Sequence, residues 1–160
     1  MMSLTIRRRC RRPSASLAAF GVTLLMAASP VEAALGGTEA TVRADQAQMS
    51  MTLRTLPGAR FTVHELTAAS GATVREYVAP TGRVFGVAWQ GSSMPDLRQV
   101  LGAYFDQYVE AAAARRTRRA PVHVELPGLV VQSGGHMRAF TGRAYLPQSL
   151  PPGVAAEEIR

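Results

Sequence analysis

The sequence predicts an α+β fold: an antiparallel β-meander, one long amphipathic helix packed on one face of it, and a C-terminal β-hairpin. Three observations point there. From Met94 to Arg119, the residues Leu97, Val100, Leu101, Tyr104, Phe105, Tyr108, Ala111 and Ala112 recur at helical spacing, with Asp96, Gln99, Asp106, Gln107 and Glu110 on the opposite face. From Arg60 to Gln90 three alternating runs are separated by short glycine-ended loops. From Val122 to Leu146 further β-type runs follow, with Gly134-Gly135 between two of them.

In chain order, the first 33 residues have the layout of a cleavable signal peptide. Five arginines between Arg7 and Arg12 precede the apolar run Ala15–Ala28, which is too short to span a bilayer, and Val31-Glu32-Ala33 offers a small-x-small cleavage site. Cleavage after Ala33 leaves 127 residues with 13 arginines against 10 acids. The basic pI of the whole chain therefore gives no reason to expect specific nucleic-acid binding. The only cysteine, Cys10, lies in the leader, so the mature chain has neither disulfide nor thiol chemistry and must rely on its core. Residues 34–146 are expected to form a single domain, and Pro147–Arg160, with three prolines and no period, an extended or partly disordered tail. No transmembrane span is expected after cleavage.

Thr38 suits the cap of a short helix reaching about Gln48, with Glu39 favourable in its first turn. Met49, Met51 and Leu53 begin an alternating run ended by Pro57-Gly58. In the meander, Ala69-Ser70-Gly71 and Pro80-Thr81-Gly82 read as three-residue loops with glycine at the left-handed position. That choice sets Glu65 against Arg75 and His64 against Glu76; a shorter first loop would oppose Glu65 and Glu76. One face then carries Phe61, Val63, Tyr77, Phe85, Val87 and Trp89, a platform for Tyr104, Phe105 and Tyr108. The other face carries Leu66, Val74, Val78, Val84 and Ala88, with His64 and Glu76 among them. It is left to the C-terminal strands or to a partner. Pro95 suits the first helical position, and Arg115, Arg116, Arg118 and Arg119 complement the helix C-terminus before Pro121 stops it.

Candidate chemistry is sparse. His64, His123 and His136 stand outside any metal-ligating spacing, and no nucleophile elbow, phosphate loop or dinucleotide fingerprint is present; no cofactor or metal is expected. His123 alternates with Val122 and Val124 and so points to solvent. His64 opposite Glu76 has the make-up of a general-base pair, and of an ordinary cross-strand pair. The run Ser133–Tyr145 is the best candidate for a site, with His136, Arg138 and Arg143 placed to clamp a carboxylate or phosphate. The cluster Arg115, Arg116, Arg118 and Arg119 is a second candidate, for an anionic surface, without the aromatic interleaving that nucleic-acid stacking needs.

The segments REYVAPTGRVFGVAWQGSSMPDLRQVLGAYFDQY, GLVVQSGGHMRAFTGRAYLP and LPPGV, behind a leader ending near ALGG, resemble the Domain of Unknown Function 2844 family, small exported proteins of proteobacteria. The resemblance implies export and a single domain, and carries over no activity, ligand or catalytic residue. The expected function is a non-enzymatic interaction module of the bacterial envelope, meeting another envelope protein or an anionic envelope component. Two alternatives stand beside it: a small-ligand or anion binder using Arg138, Arg143 and His136, and a hydrolase-like enzyme centred on His64 or His136.

Overall fold

The computed structural model describes residues 35–48, 50–114 and 121–160. The expected signal peptide lies outside the described residues. Helix α1 (Glu39–Gln48) precedes a run of strands β1 (Thr52–Pro57), β2 (Thr62–Thr67), β3 (Thr73–Val78) and β4 (Val84–Gly91). Next come α2 (Leu97–Leu101), a 3-10 turn at Gly102–Tyr104 and α3 (Phe105–Ala113). Strands β5 (Val122–Leu126), β6 (Leu129–His136) and β7 (Ala139–Tyr145) close the sheet. All seven strands form one antiparallel sheet in the order β1-β2-β3-β4-β7-β6-β5. The α+β reading holds, with β1 joining the meander as a fourth strand. The meander register is the one that charge pairing selects: Glu65 faces Arg75, joined at 2.8 Å, and His64 faces Glu76.

The chain enters the described fold through hydrogen bonds from Gly36 N to Val84 O and from Val84 N to Gly37 O, which pin residues 35–38 to the start of β4. At α1 the capping exchange runs opposite to expectation: Thr41 Oγ1 accepts from Thr38 N and donates to Thr38 O. Asp96, rather than lying inside the first turn, is the N-cap of α2 and accepts from Arg98 N at 2.9 Å. Pro95 therefore precedes the cap.

The eight-residue helical stripe packs as a unit. Val100 and Leu101 are buried, and Leu97, Tyr104, Phe105, Tyr108, Ala111 and Ala112 are half-buried against the same cluster. The helix lies on the opposite face from the one the alternation suggests. Between β3 and β4 the ladder passes from Tyr77↔Gly86 to Val78↔Val84, skipping Phe85. One extra residue in a strand reverses the facing of every side chain beyond it. Val87 and Trp89 consequently join Leu66, Val74, Val78 and Val84 beneath the helix. Phe85 and Ala88 turn to the other face with Tyr77, Phe61 and Val63.

That second face is covered by the proline-rich segment 147–160, through 3-10 turns at Pro147–Ser149 and Ala156–Glu158. Its Val154 and Ile159 are buried against Phe85, Tyr77 and Ala88. Ile159 fits against Gly86, where an added Cβ would stand 2.8 Å from its Cδ1. Polar clamps hold the segment down. Arg60 pairs with Glu158 at 2.7 Å and donates to Gly153 O, and Tyr77 Oη accepts from Arg160 N at 3.0 Å.

Candidate functional site

The sheet order puts side chains from distant parts of the sequence in one row. On the face covered by segment 147–160, Arg75 faces Ala88, Ala88 faces Arg143, Arg143 faces Gln132 and Gln132 faces His123. Two residues along the strands a second row runs Thr73, Gln90, Thr141, Gly134. Segment 147–160 covers the aromatic end of this face, and at its edge Ile159 and Arg160 wall a groove of about 510 Å³ over the two rows. That volume is in the range of small-molecule sites, roughly 300–1,000 Å³.

Arg143 is the best-positioned cation of the groove. Its Nε donates to Gln132 Oε1 at 2.7 Å, and its Nη1 to Ala156 O at 2.8 Å and more weakly to Ile159 O at 3.4 Å. All three acceptors are neutral. Arg75, in contrast, is engaged with Glu65 and with Arg160 O at 3.2 Å. Among the described residues no Asp or Glu side chain lines the groove. A guanidinium fixed in place by neutral acceptors keeps its charge available, and it loses little freedom when a carboxylate or phosphate docks on its remaining edge.

The three site residues expected together in the C-terminal hairpin are not brought together. Gly134 and Gly135 belong to β6, and the reversal falls at Met137-Arg138, between His136 and Ala139. Gly135 is spent on close strand approach, since a side chain there would overlap the Ala139 carbonyl. Arg138, at φ 67°, and His136 thus sit exposed at the hairpin tip, five and seven positions from Arg143 along the chain. The cluster Arg115, Arg116, Arg118 and Arg119 lies outside the described residues. The alternation did not point to Thr73, Gln90 and Arg75 as site residues; only the pairing of β4 with β7 brings them beside Arg143.

His64 forms a separate polar centre under α1. It is 4 % exposed, its Nδ1 is 3.0 Å from Thr55 Oγ1, and its Nε2 is 3.5 Å from Glu39 Oε1. Burial lowers its pKa below the ordinary 6.5, against the pull of Glu39 and with a smaller push from Arg43. Glu76, 2 % exposed, stands across the ladder. Here are a histidine, a hydroxyl and carboxylates, the components of a general base, but His64 does not line the groove, and substrate access is the first requirement for such a role. His123 is half-exposed, 3.8 Å from Glu125, as its alternation implied, and reaches the far end of the groove.

Among the described residues no group of three His, Cys, Asp or Glu gathers as a metal site, and no helix is long and apolar enough to cross a membrane. No curated protein and no solved structure matches the chain. A family model described as "Protein of unknown function (DUF2844)" matches residues 31–159, nearly the whole of the packed chain, and the protein belongs to that family.

Proposed function

We propose that this protein is an exported, non-enzymatic binding module that holds an anionic ligand, or an anionic group of an envelope component, in the groove around Arg143. The observation that carries this reading is a guanidinium held by Gln132 Oε1 and Ala156 O, in a groove that no acidic side chain among the described residues lines. An arginine kept half-buried for structure alone gains most from a carboxylate partner; this one is aligned by neutral acceptors instead. Export follows from the leader, cut after Ala33.

Titration of the isotope-labelled protein with inorganic phosphate and with citrate tests the reading. Amide shifts are expected at Gln132 and Arg143, with affinity falling as added salt shortens the screening length from roughly 10 Å toward 3 Å. Arg143→Gln abolishes binding, Arg143→Lys retains part of it through charge without the planar fork, and Arg138→Ala leaves it unchanged. Salt-independent binding, or binding kept in Arg143→Gln, overturns the proposal.

The hairpin tip supports a second contact, with a protein of the envelope. Met137 is 88 % exposed between His136 and Arg138. Crosslinking from envelope extract, compared between the native chain and Met137→Ser, tests this contact. A specific band lost in the variant supports it, and recovery of chaperones alone counts against it.

A further inference from the structure

Resting on the reading of Arg143 as an anion anchor, we propose that the ligand of the groove is an acidic carbohydrate, a sugar ring carrying a carboxylate and several free hydroxyls. The strands of the floor, β3, β4, β7 and β6, are each paired on both sides, so their main-chain groups are already used. An extended peptide cannot add here as a further strand, and recognition falls to side chains. Beside the arginine row stand Thr73, Gln90 and Thr141, consecutive cross-strand partners on three strands. None of the three makes a side-chain hydrogen bond among the described residues. Gly134 ends the row without a side chain, and Pro121 stands over that end.

Hydroxyls and amides donate and accept alike, which is the chemistry of a polyol. The row lies two residues from Arg143 along the strands, about 7 Å, the scale of one sugar ring. A ring lying flat over both rows presents its carboxylate to Arg143 Nη2 and its hydroxyls to Gln90 and Thr141.

Other anions fit less well. A fatty or aromatic acid would lay apolar surface over Thr73, Gln90 and Thr141 and strip them of water without replacement, and a site built to hydrogen-bond hydroxyls rejects analogues that lack them. A nucleotide base would need a stacking ring, and Trp89, the aromatic residue beside the groove, is only 2 % exposed and belongs to the cluster beneath the helix. Inorganic phosphate would engage Arg143 and leave the hydroxyl row idle.

The test is a calorimetric titration of the purified protein with a panel of uronate disaccharides, their neutral methyl esters, and inorganic phosphate. Gln90→Ala and Thr141→Ala serve as variants, because both side chains are exposed and their removal leaves the core intact. At least one uronate is expected to bind tenfold or more tighter than its ester and than phosphate. Each variant should weaken that uronate about tenfold while phosphate affinity stays the same. If phosphate and the uronates bind alike and neither variant matters, the carbohydrate proposal falls and Arg143 remains a simple anion site. If esters bind as well as acids, the carbohydrate proposal falls together with the charge role of Arg143. If nothing in the panel binds, both are overturned.

Discussion

Gly142 lies under the indole of Trp89, and its substitution tests the packing of the sheet centre directly. A Cβ built on Gly142 would stand 2.5 Å from Trp89 Cε2, closer still to Cζ2, and 2.7 Å from the Gln132 carbonyl oxygen. Ordinary carbon contacts lie near 3.5–4.0 Å, so Gly142→Ala forces about 1 Å of movement. The carbonyl belongs to a paired strand and the ring is 2 % exposed inside the helix-side cluster, so neither can retreat freely. If the ring is squeezed in place, overpacking costs about 1–3 kcal/mol. If it is expelled, the loss of 150–250 Å² of burial costs roughly 4–6 kcal/mol. The cheaper response prevails, so the expected destabilisation is about 1–3 kcal/mol, a sizeable share of the roughly 5–15 kcal/mol that a domain of this kind has. Trp89 is the only tryptophan, so denaturant unfolding followed by its emission reports both stability and the fate of the ring. A loss under about 1 kcal/mol with unshifted native emission would refute the close approach of Trp89 to Gly142.

Three further outcomes are expected. Ile159→Ala removes a side chain that is fully buried against Gly86 and should cost about 2–5 kcal/mol in a denaturant melt; no shift of the midpoint would mean that the C-terminal segment is not part of the core. Gly128→Ala meets no atom within 4 Å, and its φ lies outside the positive range, so it should raise stability by about 0.4–1 kcal/mol through the unfolded chain, and a loss instead would show a left-handed turn there. His64 has a folded pKa below its ordinary 6.5, so between the two values the unfolded chain holds more protons and stability rises with pH. Stability should be full above about 6.5 and decline as pH falls below it, and His64→Gln should flatten that slope in a series of melts from pH 8 to 5; an unchanged slope would place the titrating group elsewhere.

What was legible in the chain divides along the range of the interactions. Local rules settled the helical stripe, the glycine-ended loops and the Glu65–Arg75 register, because each depends on residues within about ten positions of one another. The facing of Trp89 was lost at a single skipped residue, Phe85, since alternation assumes an unbroken pleat and a bulge leaves no compositional mark. Because glycine most often marks turns, composition places the hairpin reversal at Gly134-Gly135. Here Gly135, itself at φ 121°, serves close strand approach within β6, and the reversal further on puts Arg138 at φ 67°.

The groove shows the same limit more sharply. Arg143 reads from the sequence as a cation on a β-run, yet of its partners only Gln132 lies on the adjacent hairpin strand; Ala156 and Ile159 depend on a segment without periodicity folding back over the sheet. Ile159 has no amphipathic neighbours to announce it; what seats it is the missing side chain of Gly86, some seventy residues earlier. Since the same segment supplies the oxygens that align Arg143 and the wall of the groove, the second half of the core and the binding site are completed together. A change that frees residues 150–160 should therefore cost stability and ligand affinity in the same step.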